Sequence, residues 1–316
     1  MTYEEVVSQE QFEEWLEAHK TGIGASQIAA VLGEHPFKSR LQIWAELVNR
    51  IEPADLSDNE AVEMGLVLEP VVAALYERRT GRPLAKAGVL LRSVEHPWAI
   101  ATPDYWIEGF SYPIPLQIKT TNAYRINDWA DGPPKEVWWQ VQHEMLVTGA
   151  PWASVGVLVG GQRFLWADVD RDEDAIARIV REAEEFWDLV QNNEYPAPDS
   201  NSGEPIAALF PTAAEGESLA LPQQATEWDS ALVSLKIERN AIDGQIAHLE
   251  NEIKLAIGPA ERGLLQDGSA SYTFKNQDRW TYKLAEGEVK PTESGTTVRA
   301  IATNSQFRVL RRSIDQ

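Results

Sequence analysis

Three positions within ATPDYWIEGFSYPIPLQIKTT have side chains that could do chemistry together: Asp104, Gln117 and Lys119. Phosphodiester hydrolysis near neutral pH needs a divalent cation to polarise the phosphoryl oxygen and to generate hydroxide from water. Magnesium takes hard oxygen ligands, commonly one or two carboxylates, with water completing its octahedron. A carboxylate at one strand end, a second ligand on the next strand and an ammonium that orients water or offsets phosphate charge would meet that need. In PLQIKTT, period-two alternation puts Gln117 and Lys119 on one face and Ile118 on the other, and the Ile118 carbonyl is a further backbone ligand. The spacing also suits plain structure, because Asp after Pro is a common turn residue and a strand lysine a common edge charge.

Other positions strengthen the chemical alternative. Glu69, in MGLVLEPVVAALYE, sits on an apolar helix face, where a lone carboxylate is costly unless it is paired or holds a metal. Gln140 and His143 lie a turn apart on the apolar helix VWWQVQHEML; a satisfied buried amide is the structural alternative for Gln140. Ser26, in TGIGASQIAA, opens a helix whose N-terminus could take a terminal phosphate, although an ordinary N-cap reads the same way. ERRTGRP, with Arg78, Arg79 and Arg82, together with Lys86, is the local basic patch for a DNA backbone, or else a solvated helix end. Of the 12 tryptophans, Trp98, Trp106, Trp129, Trp138 and Trp139 flank these motifs; large aromatics are usually core, and stacking on bases is the alternative.

The elements that must position these groups alternate between helix and strand up to about residue 190. SQIAAVLG reads as a short helix capped by Ser26 and stopped by Gly33, SRLQIWAELVNR as a second, and DNEAVEMGLVLEPVVAALYERRTG as a long one ending at Gly81. AGVLLRS, WAIATPDYWIE, PLQIKTT, ASVGVLVGG and RFLWADVD read as strands, with KEVWWQVQHEMLVTG and DEDAIARIVREAEEFWDLVQNN as helices. This predicts an α/β domain with a mixed sheet flanked by helices over residues 1–195. A Pro-, Ser- and Gly-rich linker follows over 196–224. From Trp228 to Ala256, steps of four and three trace a heptad seam with Arg239 as its polar interruption. The 225–316 region thus reads as a heptad helix plus a small β unit with a basic end, serving assembly or partner docking, or packing on itself.

The chain has 316 residues, 43% hydrophobic and 24% charged, which is a globular composition. With no cysteine, disulfides, thiol nucleophiles and Cys-type zinc sites are excluded, and the five histidines lack zinc spacing. A net charge of −21 argues against a general nucleic-acid coat protein, but not against an enzyme that meets DNA in a local channel. No apolar run spans a membrane and the acidic N-terminus lacks a signal core, so a cytoplasmic location is expected.

In order, GIGASQIAAVLG, MGLVLEPVVAALYE, ATPDYW, QIKTT and WWQVQHEMLVTG resemble the YqaJ-type viral recombinases, phage nucleases of the lambda-exonuclease group in the PD-(D/E)xK superfamily. The resemblance covers roughly residues 10–195 and implies the PD-(D/E)xK core. It also implies a magnesium-dependent exonuclease, manganese being an alternative cation. Such an enzyme degrades linear double-stranded DNA from 5′ ends and hands the 3′ strand to a single-strand annealing protein, often as a ring-shaped homo-oligomer. Carried over by position, Asp104 matches the metal-binding aspartate and Gln117 the second metal carboxylate, Lys119 is the catalytic lysine, Glu69 the helix glutamate near the metals and Gln140 the active-site helix glutamine. Ser26 is the serine that helps hold the 5′-phosphate. The chain departs from the pattern twice. Gln117 replaces the usual acid and supplies no charge to a cation. The arginine expected shortly before GIGAS is absent from AHKTGIGAS, leaving His19 or Lys20 for phosphate binding, with Lys20 preferred because it stays charged. Two alternatives follow: a catalytically weakened DNA-end-binding recombination protein, and a site-specific endonuclease of the same superfamily.

Overall fold

The computed structural model describes residues 2–8, 11–56, 58–284, 290–292, 295–297 and 300–313. It divides into two units, Met1–Glu215 and Gly216–Gln316. The strands of the first unit are β1 (Tyr3–Ser8), β2 (Ile23–Gly24), β3 (Leu84–Lys86), β4 (Val89–Ser93), β5 (Ala99–Ala101), β6 (Tyr105–Ile107), β7 (Ile114–Thr121), β8 (Trp152–Val159) and β9 (Arg163–Asp170). Its helices are α1 (Phe12–His19), α2 (Ile28–Val31), α3 (Arg40–Leu47), α4 (Glu60–Thr80), α5 (Lys135–Thr148), α6 (Glu173–Asn192) and α7 (Gly203–Leu209). One sheet has the order β1-β4-β5-β2 and the other β3-β6-β7-β8-β9. The second sheet is mixed: β7 and β8 run parallel, and its other pairs are antiparallel. A parallel pair cannot close through a tight turn, and α5 lies in the crossover between β7 and β8.

Local chemistry fixes the helices that matter for the site. Asn59 caps α4 by accepting from the Ala61 and Val62 amides, and Gly81 ends it at φ +71°, a conformation that suits glycine. Pro70 lies inside α4 and removes the amide that would have bonded the Leu66 carbonyl. The core contacts of α4 lie on one face: Val72 and Tyr76 are fully buried, whereas Val62, Leu66, Val67 and Val71 are exposed. Helix α5 starts behind Pro134, ends at Gly149, and is buried along most of its length between two hydrophobic clusters. Trp139, Leu146 and Val147 join the cluster of α2, α3 and α6, while Val137, Val141 and Met145 join the cluster of β7 and β8.

Three sequence expectations change. WAIATPDYWIE is not one strand: β5 and β6 belong to different sheets, and Thr102, Pro103 and Asp104 form the crossing between them. Pro103 cannot donate to a ladder, so the chain leaves one sheet there and joins the other. Ser26 is not an N-cap: it lies within a 3₁₀ turn, Ala25–Gln27, capped at Gly24, whose amide donates to Gln27 Oε1 at 2.8 Å. The α-helix that follows has four residues, too few for an N-terminal dipole to gather an anion. The first unit also runs past residue 195. Asp199 accepts from the Arg40 amide at 3.2 Å, and Asn201 donates to the His35 carbonyl at 3.4 Å, so the Pro- and Ser-rich start of the expected linker is docked.

The second unit contains α8 (Ala225–Ile257), β10 (Arg262–Leu264), β11 (Ser271–Leu284), β12 (Lys290–Thr292), β13 (Gly295–Thr297) and β14 (Ala300–Ser313). Strands β10, β11 and β14 form one antiparallel sheet, with β11 and β14 paired from Ser271↔Ser313 to Leu284↔Ala300. Within this unit Trp228, Leu232, Leu235, Ile242, Ile246 and Leu249 of the heptad seam are exposed, and among the described residues of α8 Ile257, at its end, is buried. Among the described residues no helix is long and apolar enough to cross a membrane.

Candidate active site

Strand register explains how Asp104 and Gln117 meet. In the β6–β7 ladder Tyr105 faces Leu116, so the next step places Asp104 across from Gln117. Gln117 Nε2 donates to Asp104 Oδ2 at 2.8 Å, and the Ile118 amide donates to the same oxygen at 2.7 Å. The amide edge of Ile118 therefore faces Asp104 rather than β8, and its carbonyl leaves the strand on that same edge. Burial pushes the Asp104 carboxyl up to about 6; Lys119 and the Ile118 amide pull it down, and Glu69 adds to the rise. Asp104, Lys119 and Glu69 thus share one electrostatic cluster.

The two faces of β7 are occupied differently. A Cβ on Gly156 would lie 3.3 Å from Ile118 Cδ1 and 3.7 Å from Tyr76, so Ile118 points into the apolar contact with α4. Gln117, on the opposite face, is buried, and Lys119 is partly exposed. Glu69 comes from the middle of α4 and is paired with Lys86, whose ammonium also lies 4.8 Å from the centre of the Tyr105 ring. On α5, Gln140 is buried and its Nε2 donates to Glu144 Oε1 at 3.1 Å. Glu144 is a residue that the sequence reading passed over. It is fully buried, and burial together with Asp104 pushes its carboxyl up to about 8, against Lys119 and the Gln140 amide. Its only sequence signal was an acid one turn after Gln140 on an apolar helix. His143 is structural: burial lowers it to about 4, and Nε2 lies 3.2 Å from the Ile100 carbonyl of the other sheet.

The structure thus gathers Asp104, Gln117, Ile118, Lys119 and Glu69, with Gln140 linked to Glu144 behind them. The expected phosphate contacts do not join this group through any contact among the described residues. Ser26 is exposed. His19 packs on Trp15 at 3.9 Å and is lowered by burial, and Lys20 pairs with Glu17 at 2.8 Å. Arg78 and Arg79 are exposed in the last turn of α4. The wider basic patch is smaller than its sequence suggests, because Arg82 is held by both carboxylate oxygens of Asp168 at 2.7 Å and Lys86 by Glu69. Trp98 and Trp139 are core residues, as large aromatics commonly are.

The donor set suits a hard divalent cation. A carboxylate only accepts, so Gln117 turns its NH₂ toward Asp104, and its Oε1 is left buried with no hydrogen-bond partner. A buried acceptor without a donor is costly, and a cation would satisfy it. Thr102 Oγ1, two residues before Asp104, is likewise buried and unpartnered. Among the described residues no three His, Cys, Asp or Glu side chains gather as a metal cluster. Asp104, the Gln117 amide oxygen, the Ile118 carbonyl and Glu69 are the residues that would hold a cation here.

Residues 14–151 match the family described as the YqaJ-like viral recombinase domain. The protein YqaJ of Bacillus subtilis (strain 168), itself uncharacterised, is 30% identical over 266 residues, covering 82% of each chain. The solved structure of LHK-Exo in complex with dAMP is 26% identical with a TM-score of 0.50, over 57% of this chain and 93% of that one. A second structure of LHK-Exo, an alkaline exonuclease from Laribacter hongkongensis, matches at 26% identity and a TM-score of 0.49 over the same shares.

Proposed function

The chain belongs to the YqaJ-like viral recombinase family, and from that premise we propose that it is a metal-dependent exonuclease. In this proposal it degrades linear double-stranded DNA from 5′ ends and exposes 3′ strands for a single-strand annealing partner. The observation that carries the reading is the junction of Asp104 with Gln117 and the Ile118 amide, beside Lys119. The likeness to LHK-Exo supports nuclease chemistry on this fold. The polarity and the annealing partner come from the resemblance to the lambda-exonuclease group.

A bound magnesium or manganese ion would polarise the phosphoryl oxygen and acidify water at this place. The chain's own residues do the rest. Asp104, just before β6, and the Gln117 oxygen, on β7, would hold the ion, and the Ile118 amide keeps the Asp104 carboxylate aimed. Lys119 is partly open to solvent on the same strand face as Gln117, where its ammonium orients attacking water and offsets phosphate charge. Gln140 holds its amide against Glu144, and in this proposal it orients that water or Lys119. The uncovered seam of α8 serves homo-oligomeric assembly in this proposal.

Digestion of a linear duplex labelled separately at its 5′ and 3′ ends tests the function. Release of 5′ nucleotides with magnesium or manganese, and none with chelator, is the expected result. Two observations favour a second reading, a DNA-end-binding protein with weakened catalysis: position 117 is neutral, and Lys86 occupies Glu69. That reading gains if DNA ends are bound without release under either metal. Cleavage of closed circular DNA would instead point to an endonuclease.

The acidity of Asp104 sets a pH dependence. Its carboxyl titrates at about 6, and a protonated Asp104 is a poor ligand. Cation affinity is expected to fall as pH drops from 8 through 6, by about tenfold per unit once below it if one proton competes. Manganese titrations at pH 8, 7, 6 and 5 check this; a flat profile would remove Asp104 from the ligand set.

A further inference from the structure

We propose that Glu144 is a positioning residue of the cation site, supplying from α5 the negative charge that Gln117 does not. The inference rests on the cation site proposed above. Count the charges of the cluster: Asp104 and Glu69 contribute two carboxylates, and Lys119 and Lys86 two ammoniums. With a neutral amide at 117 the sum is zero, and nothing is left over to favour a doubly charged ion. One further carboxyl within electrostatic reach changes that balance once it is ionised.

Glu144 is within that reach. Its carboxyl responds to both Asp104 and Lys119, it is fully buried, and it lies one helical turn from Gln140. One oxygen accepts from Gln140 Nε2 at 3.1 Å; the other is buried with no partner. Burying a carboxyl half-satisfied is among the more costly choices a core can make. Leucine or methionine would fill an apolar helix position without that cost. The arrangement makes sense if a cation arrives nearby, since its field then stabilises the ionised form. Glu144 is not a ligand in this account, because it forms no three-acid cluster with Asp104 and Glu69. It acts through space and through Gln140, which its carboxyl holds in one orientation.

Titration of the metal-free protein with Mn²⁺, following free ion by electron paramagnetic resonance, tests the proposal independently of activity. Glu144→Gln keeps shape and a hydrogen-bond partner for Gln140 while removing the charge. It is expected to bind Mn²⁺ roughly tenfold to a hundredfold more weakly, the range in which supporting residues of metal sites act, with a melting temperature no lower than that of wild type. Adding Gln117→Glu to Glu144→Gln should return affinity to within about threefold of wild type, a rescue that a merely structural role would not give. Should Glu144→Gln fail to fold, Glu144→Met, of similar volume, carries the same expectation. Folded Glu144→Gln that binds Mn²⁺ as wild type does, or a folded double variant that recovers nothing, overturns the inference and leaves the function proposed above intact. A wild type that binds no Mn²⁺ overturns both.

Discussion

Asp104→Asn is expected to lose cation binding and, with it, at least about 100-fold of nucleotide release from linear duplex. Supporting residues of metal sites cost 10–100-fold, and a ligand itself costs no less. The substitution is nearly isosteric, and its side-chain oxygen can still accept from the Ile118 amide that Asp104 now holds at 2.7 Å. Stability moves the other way. Burial raises this carboxyl from 3.8 to about 6, so the native state binds its proton more tightly than the unfolded chain does. The resulting penalty is absent below the unfolded value, grows as pH rises through that window, and is complete above about 6. Asparagine carries no such penalty, so at pH 8 the variant should melt no lower than wild type. Activity assays, Mn²⁺ titration and a thermal melt on one sample separate these effects. A variant that keeps near-normal cleavage would show that Asp104 is not at the reacting centre.

Lys119→Met is expected to separate binding from chemistry. An ammonium aimed at developing phosphate charge or at the attacking water acts mainly in the transition state, where removal of one such donor costs on the order of 10²–10³-fold. Cation binding should persist or tighten, because Lys119 is one of the two positive charges in the cluster. Its loss also removes the interaction that pulls Asp104 down, so Asp104 will titrate higher than in wild type and the comparison belongs at pH 8 or above. Methionine preserves the aliphatic stem. Loss of cleavage together with loss of Mn²⁺ binding would mean that Lys119 holds the site together rather than acting on the substrate.

By itself the sequence determined the elements and the strand chemistry. The helical run from Asp58 to Gly81 announced α4 and its end, because apolar spacing and a terminal glycine are local signals. Alternation in PLQIKTT put Gln117 and Lys119 on one face for the same reason: side-chain direction in a strand depends on parity alone. The heptad steps likewise marked α8, which spans Ala225–Ile257.

Only the tertiary structure decided what those side chains meet. That Asp104 stands across from Gln117 depends on the register of two strands joined through a loop, and on Pro103 ending one sheet where the next begins. Arg82 and Lys86 look like free cations in the chain, yet Asp168 lies 86 residues from Arg82 and Glu69 lies a helix away from Lys86, so no local pattern could show that both are taken. Glu144 was hidden for the same reason. Spacing says that an acid lies on an apolar helix; only packing says that it is sealed behind the site, coupled to Asp104 and Lys119. Periodicity is a property of neighbours in sequence, whereas charge is felt through space. The site is therefore legible in its parts from the chain, and in its balance only from the fold.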